Sequence, residues 1–206
     1  MRSLCTFAVA VVAAVCSMAP AGDFRITDAD SSSVSVHYTG HVERTDVRQW
    51  WVLAEVIGDR VCILTIDSGG GSAYGGLELY WALEAHPRLV TRAGSQRGAW
   101  SAAAIMWLAG DHQLIAENGA VWFHAAYCSW GPDPMPDIGC DTTEFQYHLI
   151  RVLTNAGYHG ESFNAVLNYV QTTHGTDGWI GVTQDGWQMF DSTDWWFKPF
   201  NKDLLT

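Results

Sequence analysis

Lysine is almost missing from this chain. The 206 residues hold two, Lys198 and Lys202, and Lys+Arg total 11 against 22 Asp+Glu, a formal charge of −11. Without a basic stripe there is nothing to follow a phosphate backbone or an anionic membrane surface, so nucleic acid and acidic lipid are excluded as partners. Both lysines lie in the tail around Trp195-Trp196-Phe197. The core elements therefore offer no amine as a catalytic base. Charged residues make up only 16%, yet disorder is excluded, because 48% hydrophobic and 13% aromatic content is ample for one buried core in a chain of this length. Internal repeats and low-complexity linkers are also lacking. After the first 21 residues no apolar run is long enough to span a bilayer.

Those first residues are read apart from the fold. Met1-Arg2 is a short basic start, Leu4 to Met18 is apolar and nearly uncharged, and Ala19-Pro20-Ala21 supplies small residues at −3 and −1. This is the pattern of a signal peptide cut near Gly22, which predicts a leader over 1–21, one domain over 22–206, and an exported, periplasmic or secreted product. An uncleaved anchor is the alternative, for which the run is short. Lipid attachment at Cys16 is disfavoured by Val15 before it. Export leaves Cys62, Cys128 and Cys140, an odd number. Cys128 and Cys140 flank the Pro-rich loop Ser129 to Asp137 and are the disulfide candidates in an oxidising compartment. Cys62, within Val61 to Ile66, is read as a buried small hydrophobe.

The mature chain alternates strand and helix signals. Ser33 to Tyr38 alternates as a half-buried strand, Asp46 to Ile57 reads as a helix closed by Gly58, and Val61 to Ile66 as a buried strand. Tyr74 to Ala85 reads as a helix stopping before Pro87, Leu89 to Thr91 as a strand, and Ser101 to Ala109 as a tight, Ala-rich helix closed by Gly110. Gln113 to Ala116 and Ala120 to His124 are further strands, followed by helices over 142–156 and 162–171 and a Gly- and Trp-rich tail. The pattern predicts an α/β fold with a largely parallel sheet.

In such a sheet, ligands bind where strands end and helices begin. Two such places stand out. Gly69-Gly70-Gly71 follows a buried strand and precedes a helix, so backbone amides there can approach a bound oxygen or chain; it also fits a plain tight turn. Ser101 opens the Ala-rich helix, where it reads either as an N-cap or as a nucleophile whose neighbouring amide faces developing negative charge. His124 ends a strand, as a structural residue or as the imidazole a serine needs. The other histidines show no metal-ligand spacing, and neither metal nor cofactor is expected.

Ile66-Asp67-Ser68-Gly69-Gly70-Gly71-Ser72 with Gly76 and Tyr80, then Ala99-Trp100-Ser101 with Ala109-Gly110, then Val121-Trp122-Phe123-His124, together resemble the proteolytic subunit of the Clp protease and its exported relatives, over about residues 35–190. The resemblance implies the ClpP/crotonase-like α/β spiral of strand-strand-helix repeats and a serine peptidase site. It makes Ser101 the nucleophile, His124 the general base, the amides of Gly70 and Ala102 the oxyanion hole, and Gly69 and Gly71 part of the substrate strand. The acid that orients the histidine falls about fifty residues later in the family, where Thr176-Asp177-Gly178-Trp179-Ile180 points to Asp177, with Asp185 and Asp141 as rivals.

The chain departs from the family at Gly69, where proline is usual, at the bulky Trp100, and after His124, where Ala125-Ala126-Tyr127-Cys128 replaces a polar-proline ending. A Ser-Lys relative lacks its lysine here, and acyl-CoA chemistry suits neither export nor an acidic chain. The expected activity is therefore cleavage of peptides or unfolded protein without ATP and without an ATPase partner, in a homo-oligomer if the family's rings carry over. A degenerate member that binds peptides by strand addition is the alternative. Retention of both Ser101 and His124 favours catalysis.

Overall fold

A computed structural model describes residues 21–125, 143–174, 178–191 and 196–199. Residues 1–20 of the proposed 1–21 leader, the Cys128–Cys140 pair, Asp141 and Asp177 lie outside the described residues.

Two five-stranded sheets are joined by a short strand and covered by helices. The first has the order β1-β2-β3-β4-β6, with β1 at Asp23–Ala29, β2 at Ser33–Thr39, β3 at Val61–Asp67, β4 at Leu89–Ala93 and β6 at His112–Ile115. From β2 onward all pairs are parallel, with Val36 opposite Leu64 and Leu64 opposite Thr91. β2 buries Val34, Val36 and Tyr38 in strict alternation, as its sequence predicts. β1 carries no such signal. Its residues are mostly exposed and include Asp23, Arg25 and Asp28, because it is an antiparallel edge strand, bulged between Ile26 and Asp28.

The second sheet corrects the expectation of a largely parallel arrangement. Its order is β10-β9-β8-β7-β5, and only β5 (Ala99–Trp100) runs parallel to β7 (Ala120–Phe123). β8 (Gly178–Thr183), β9 (Gly186–Asp191) and β10 (Trp196–Pro199) add antiparallel, so the Gly- and Trp-rich tail is a meander. Gly186, at φ +105°, turns β8 into β9.

Helix α1 (Asp46–Ile57) ends at Gly58 with φ +61°, and α2 (Ala73–Glu84) begins at Ser72, whose Oγ accepts the Gly75 amide at 3.1 Å. Helix α3 (Ala102–Trp107) is shorter than its Ala-rich run suggests. Thr91 Oγ1 donates to the Trp107 carbonyl at 2.6 Å, and i→i−3 bonds tighten Leu108 and Ala109 into a turn. Small residues let α3 and α2 touch: a Cβ on Gly76 would lie 2.7 Å from the Ala102 carbonyl oxygen. Helices α4 (Thr143–Asn155) and α5 (Gly160–His174) complete the layer, α4 burying Phe145, Leu149, Val152 and Leu153 at helical spacing. Residues from both sheets and all five helices form one buried cluster, Cys62 among them. Burial pushes the Cys62 thiol up to about 12, so it is a buried hydrophobe as expected. Among the described residues no helix is long and apolar enough to cross a membrane.

Candidate active site

Ser101 stands between β5 and α3 with φ 56° and ψ −122°, a conformation that costs a side-chain-bearing residue about 1–3 kcal/mol. Its neighbours hold it there. Its amide donates to the Trp122 carbonyl at 2.8 Å, and the Trp100 amide donates to the Ser68 carbonyl at 3.0 Å. The side chain does not cap α3, which sets aside the N-cap reading. Instead Ser101 Oγ lies 2.6 Å from Nε2 of His124, the residue just past the end of β7. Burial pushes the imidazole down to about 4, against a backbone hydrogen bond at Ala125 that raises it, so the ring is neutral at ordinary pH. A neutral Nε2 in contact with a serine hydroxyl is the arrangement needed to accept its proton.

The glycine loop faces the serine. Gly70 has φ +95°, and a Cβ there would come 2.6 Å from both Ser101 Cβ and the Trp100 carbonyl oxygen. Only glycine permits this approach. The Gly70 carbonyl accepts the Val42 amide at 2.9 Å, and the Ser72 amide donates to the Val42 carbonyl at 2.8 Å, so the loop is stitched to the segment before α1. The Gly70 amide donates to Ser68 Oγ at 3.1 Å. Ala102 supplies the first amide of α3, which has no carbonyl partner within its helix. Gly69, Gly71, Ser101, Ala102 and His124 all line one cavity of about 460 Å³, whose far wall is apolar, from Ile105, Phe123 and Leu149 among others.

Asp67, at the end of β3, was legible only as part of the glycine motif. Its carboxylate is 6% exposed. Oδ1 accepts the amides of Gln96, Arg97 and Gly98 at 3.0, 2.9 and 3.2 Å, and Oδ2 lies 2.9 Å from His37 Nε2. Burial raises its pKa, but the Arg97 amide, His37 and the amides of Gly98 and Gln96 outweigh that and hold it below the usual carboxylate range. The carboxylate thus shapes the loop that leads through β5 to the serine.

Asp185, one rival for the orienting acid, is exposed in the β8–β9 turn. Thr183 pairs with Ala120 and Ile180 with Phe123, so the β8–β9 turn lies at the end of β7 remote from His124. The other end of β8 meets the histidine: the Trp179 ring lies 4.3 Å from the imidazole, centroid to centroid. Asp177, two residues earlier in sequence, is outside the described residues. His41 also lines the cavity. It was not singled out in the sequence, where nothing marks it. Among the described residues no group of three or more His, Cys, Asp or Glu side chains is placed to hold a metal ion.

No family model matches the chain, and no curated protein matches its sequence. Solved structures do match its shape. A lysine-to-alanine variant of the 1510-N membrane-bound stomatin-specific protease, in complex with a substrate peptide, superposes with TM-score 0.50 at 13% identity, covering 67% of this chain and 64% of that one. A serine-to-alanine variant of the same protease gives 0.49 at 12%, covering 67% and 68%. An asparagine-to-aspartate variant of ClpP1 from Listeria monocytogenes gives 0.44 at 16%, covering 75% and 84%. The chain has a ClpP-like fold.

Proposed function

We propose that this chain is a serine peptidase that cleaves peptides or unfolded protein without ATP after export, with Ser101 as nucleophile and His124 as general base. The 2.6 Å contact of Ser101 Oγ with His124 Nε2, at a serine held in a strained turn, carries the reading. As Oγ attacks a peptide carbonyl, its proton passes to Nε2, and the carbonyl oxygen becomes an oxyanion. The Ala102 amide, beside the nucleophile, is one donor to that oxygen. The Gly70 amide is the second, exchanging Ser68 Oγ for the oxyanion. Nε2 then protonates the leaving amine, and water repeats the sequence to release the acyl group. Asp177 is the orienting acid in this reading, because its segment leads into the end of β8 that carries Trp179 to the histidine. Gly69 and Gly71, in the cavity wall, belong to the substrate strand. Peptide supply then needs no ATPase partner, and a homo-oligomer is the expected assembly.

A fluorophosphonate probe tests the nucleophile directly. Intact mass of the folded wild type is expected to show one adduct that Ser101→Ala lacks. A folded wild type with no adduct would overturn the reading in favour of a peptide-binding scaffold.

The pH dependence of labelling tests the acid. Burial, offset in part by the backbone hydrogen bond at Ala125, puts His124 at about 4, so its base form would persist down to that pH. A carboxylate beside it favours the charged ring and moves the limb upward. The acid limb of wild type is therefore expected above that of Asp177→Asn, whose limb falls toward 4. Coincident limbs would remove Asp177 from the site.

A further inference from the structure

His124 stands against the Trp179 indole, which belongs to a chain of indoles from three strands. The Trp179 ring lies 4.3 Å from the imidazole, tilted by 54°; Trp100 meets Trp179 edge-on at 5.4 Å and Trp122 at 5.9 Å. The register produces the cluster. Trp100 pairs with Trp122, Trp122 with Gly181 and Phe123 with Ile180, so one further step of the antiparallel ladder sets His124 beside Trp179. A Cβ on Gly181 would lie 2.2 Å from Trp122 Cε3, so a glycine there gives the Trp122 ring its place. Trp179 also lines the cavity that Ser101 opens into. Among the described residues no Asp, Glu, Lys or Arg lines that cavity. Of the described residues that line the cavity with His124, His41 is the other titratable side chain, and Ser101 Oγ contacts the imidazole; Asp177 is outside the described residues.

We propose that Trp179 is a positioning residue for His124, its indole fixing the tilt of the imidazole toward Ser101 and stabilising the positive charge that the ring gains with the Ser101 proton. An indole is the strongest aromatic partner for a cation, and the attraction acts within about 6 Å of the ring centroid and grows when water is excluded. The ring separation is inside that range, and His124 and Trp179 are both part-buried. The neutral imidazole gains less from the same face, so the contact favours the state in which the proton has moved. Trp100 packs edge-on against the indole and is itself packed against Trp122.

The catalytic consequence rests on the peptidase reading, whereas the ring contact can be measured without turnover. Trp179→Phe keeps an aromatic face and Trp179→Leu keeps only apolar bulk; Trp179→Met repeats the second contrast should the leucine variant fail to fold. NMR titration follows the His124 ring, assigned by its loss in His124→Gln, in the full chain. The His124 pKa is expected to fall by about one pH unit in Trp179→Leu and by less than half of that in Trp179→Phe. On a chromogenic peptide ester, Trp179→Leu should lower kcat on the order of tenfold with KM within about threefold of wild type, and Trp179→Phe should recover most of the loss. Identical His124 titration in all the folded proteins would overturn the proposal. So would a rise in KM alone, or equal losses of kcat with Leu and Phe. If wild type neither labels nor turns over, the peptidase reading has failed, and the titration still decides the Trp179 contact.

Discussion

Exchange of His124 for glutamine is expected to lower kcat/KM for peptide or ester hydrolysis by about 10³-fold or more, with the melting temperature nearly unchanged. Glutamine has similar reach and can hydrogen-bond the Ser101 hydroxyl, but its amide cannot take the proton at any working pH. The serine, 2.6 Å from Nε2 in wild type, then loses the only base in contact with it among the described residues. The residual rate would come from the amide donors and from holding substrate in place. Because nucleophile and base act as one unit, the Ser101→Ala, His124→Gln double variant should be no slower than Ser101→Ala alone. Steady-state kinetics on a peptide ester and a thermal melt check both parts. A folded His124→Gln protein retaining more than about a tenth of the activity would sink the general-base role.

Asp67→Ala is expected to cost about 2–3 kcal/mol of stability, lowering the melting temperature by roughly 5–10 °C. The substitution strips the amides of Gln96, Arg97 and Gly98 of their acceptor, and two of the three are at best part-buried. Gly94 shows how tightly the carboxylate is enclosed, since a Cβ there would lie 2.1 Å from Asp67 Oδ2. Asp67→Asn should be much milder, because its amide oxygen still accepts the three backbone donors. The sign with pH follows from a folded pKa held below the ordinary value. The carboxylate stabilises fully above about pH 4 and loses that contribution as pH falls through its lowered folded value. The gap between wild type and Asp67→Ala should therefore narrow in acid. Melts of the three proteins from pH 3 to 7 test this, and a constant gap would assign the loss to something other than the charge.

Ser101 and His124 stood out locally, as a serine opening an Ala-rich helix and a histidine ending an apolar strand, each with a structural alternative, and it was the resemblance to the Clp family that joined them as nucleophile and base. The parallel ladder of β2, β3 and β4 was readable because each strand carries its own alternating or apolar pattern. β1 was not, because an edge strand with Asp23, Arg25 and Asp28 has no buried face to leave a pattern. β8 and β9 were hidden by their glycines and tryptophans, which read as an irregular tail until cross-strand pairing sets Gly181 against Trp122. The same pairing explains why Trp179 was legible only as the aromatic after Asp177. Its meeting with His124 depends on the register of strands some fifty residues apart. Asp67 likewise finds its amide partners about thirty residues away, and nothing in the neighbouring sequence announces them.

β5 is two residues long, yet it belongs to both halves of the molecule. It is hydrogen-bonded through Ser68 to the end of the first sheet and through Trp122 to the second. The nucleophile is thus a rivet through a seam. For Ser101 to relax out of its strained turn the seam must open, and opening it separates the two sheets that share the core. A folded protein with a slack serine therefore has no stable place on the energy landscape, and whatever fastens the sheets together also keeps the hydroxyl aimed.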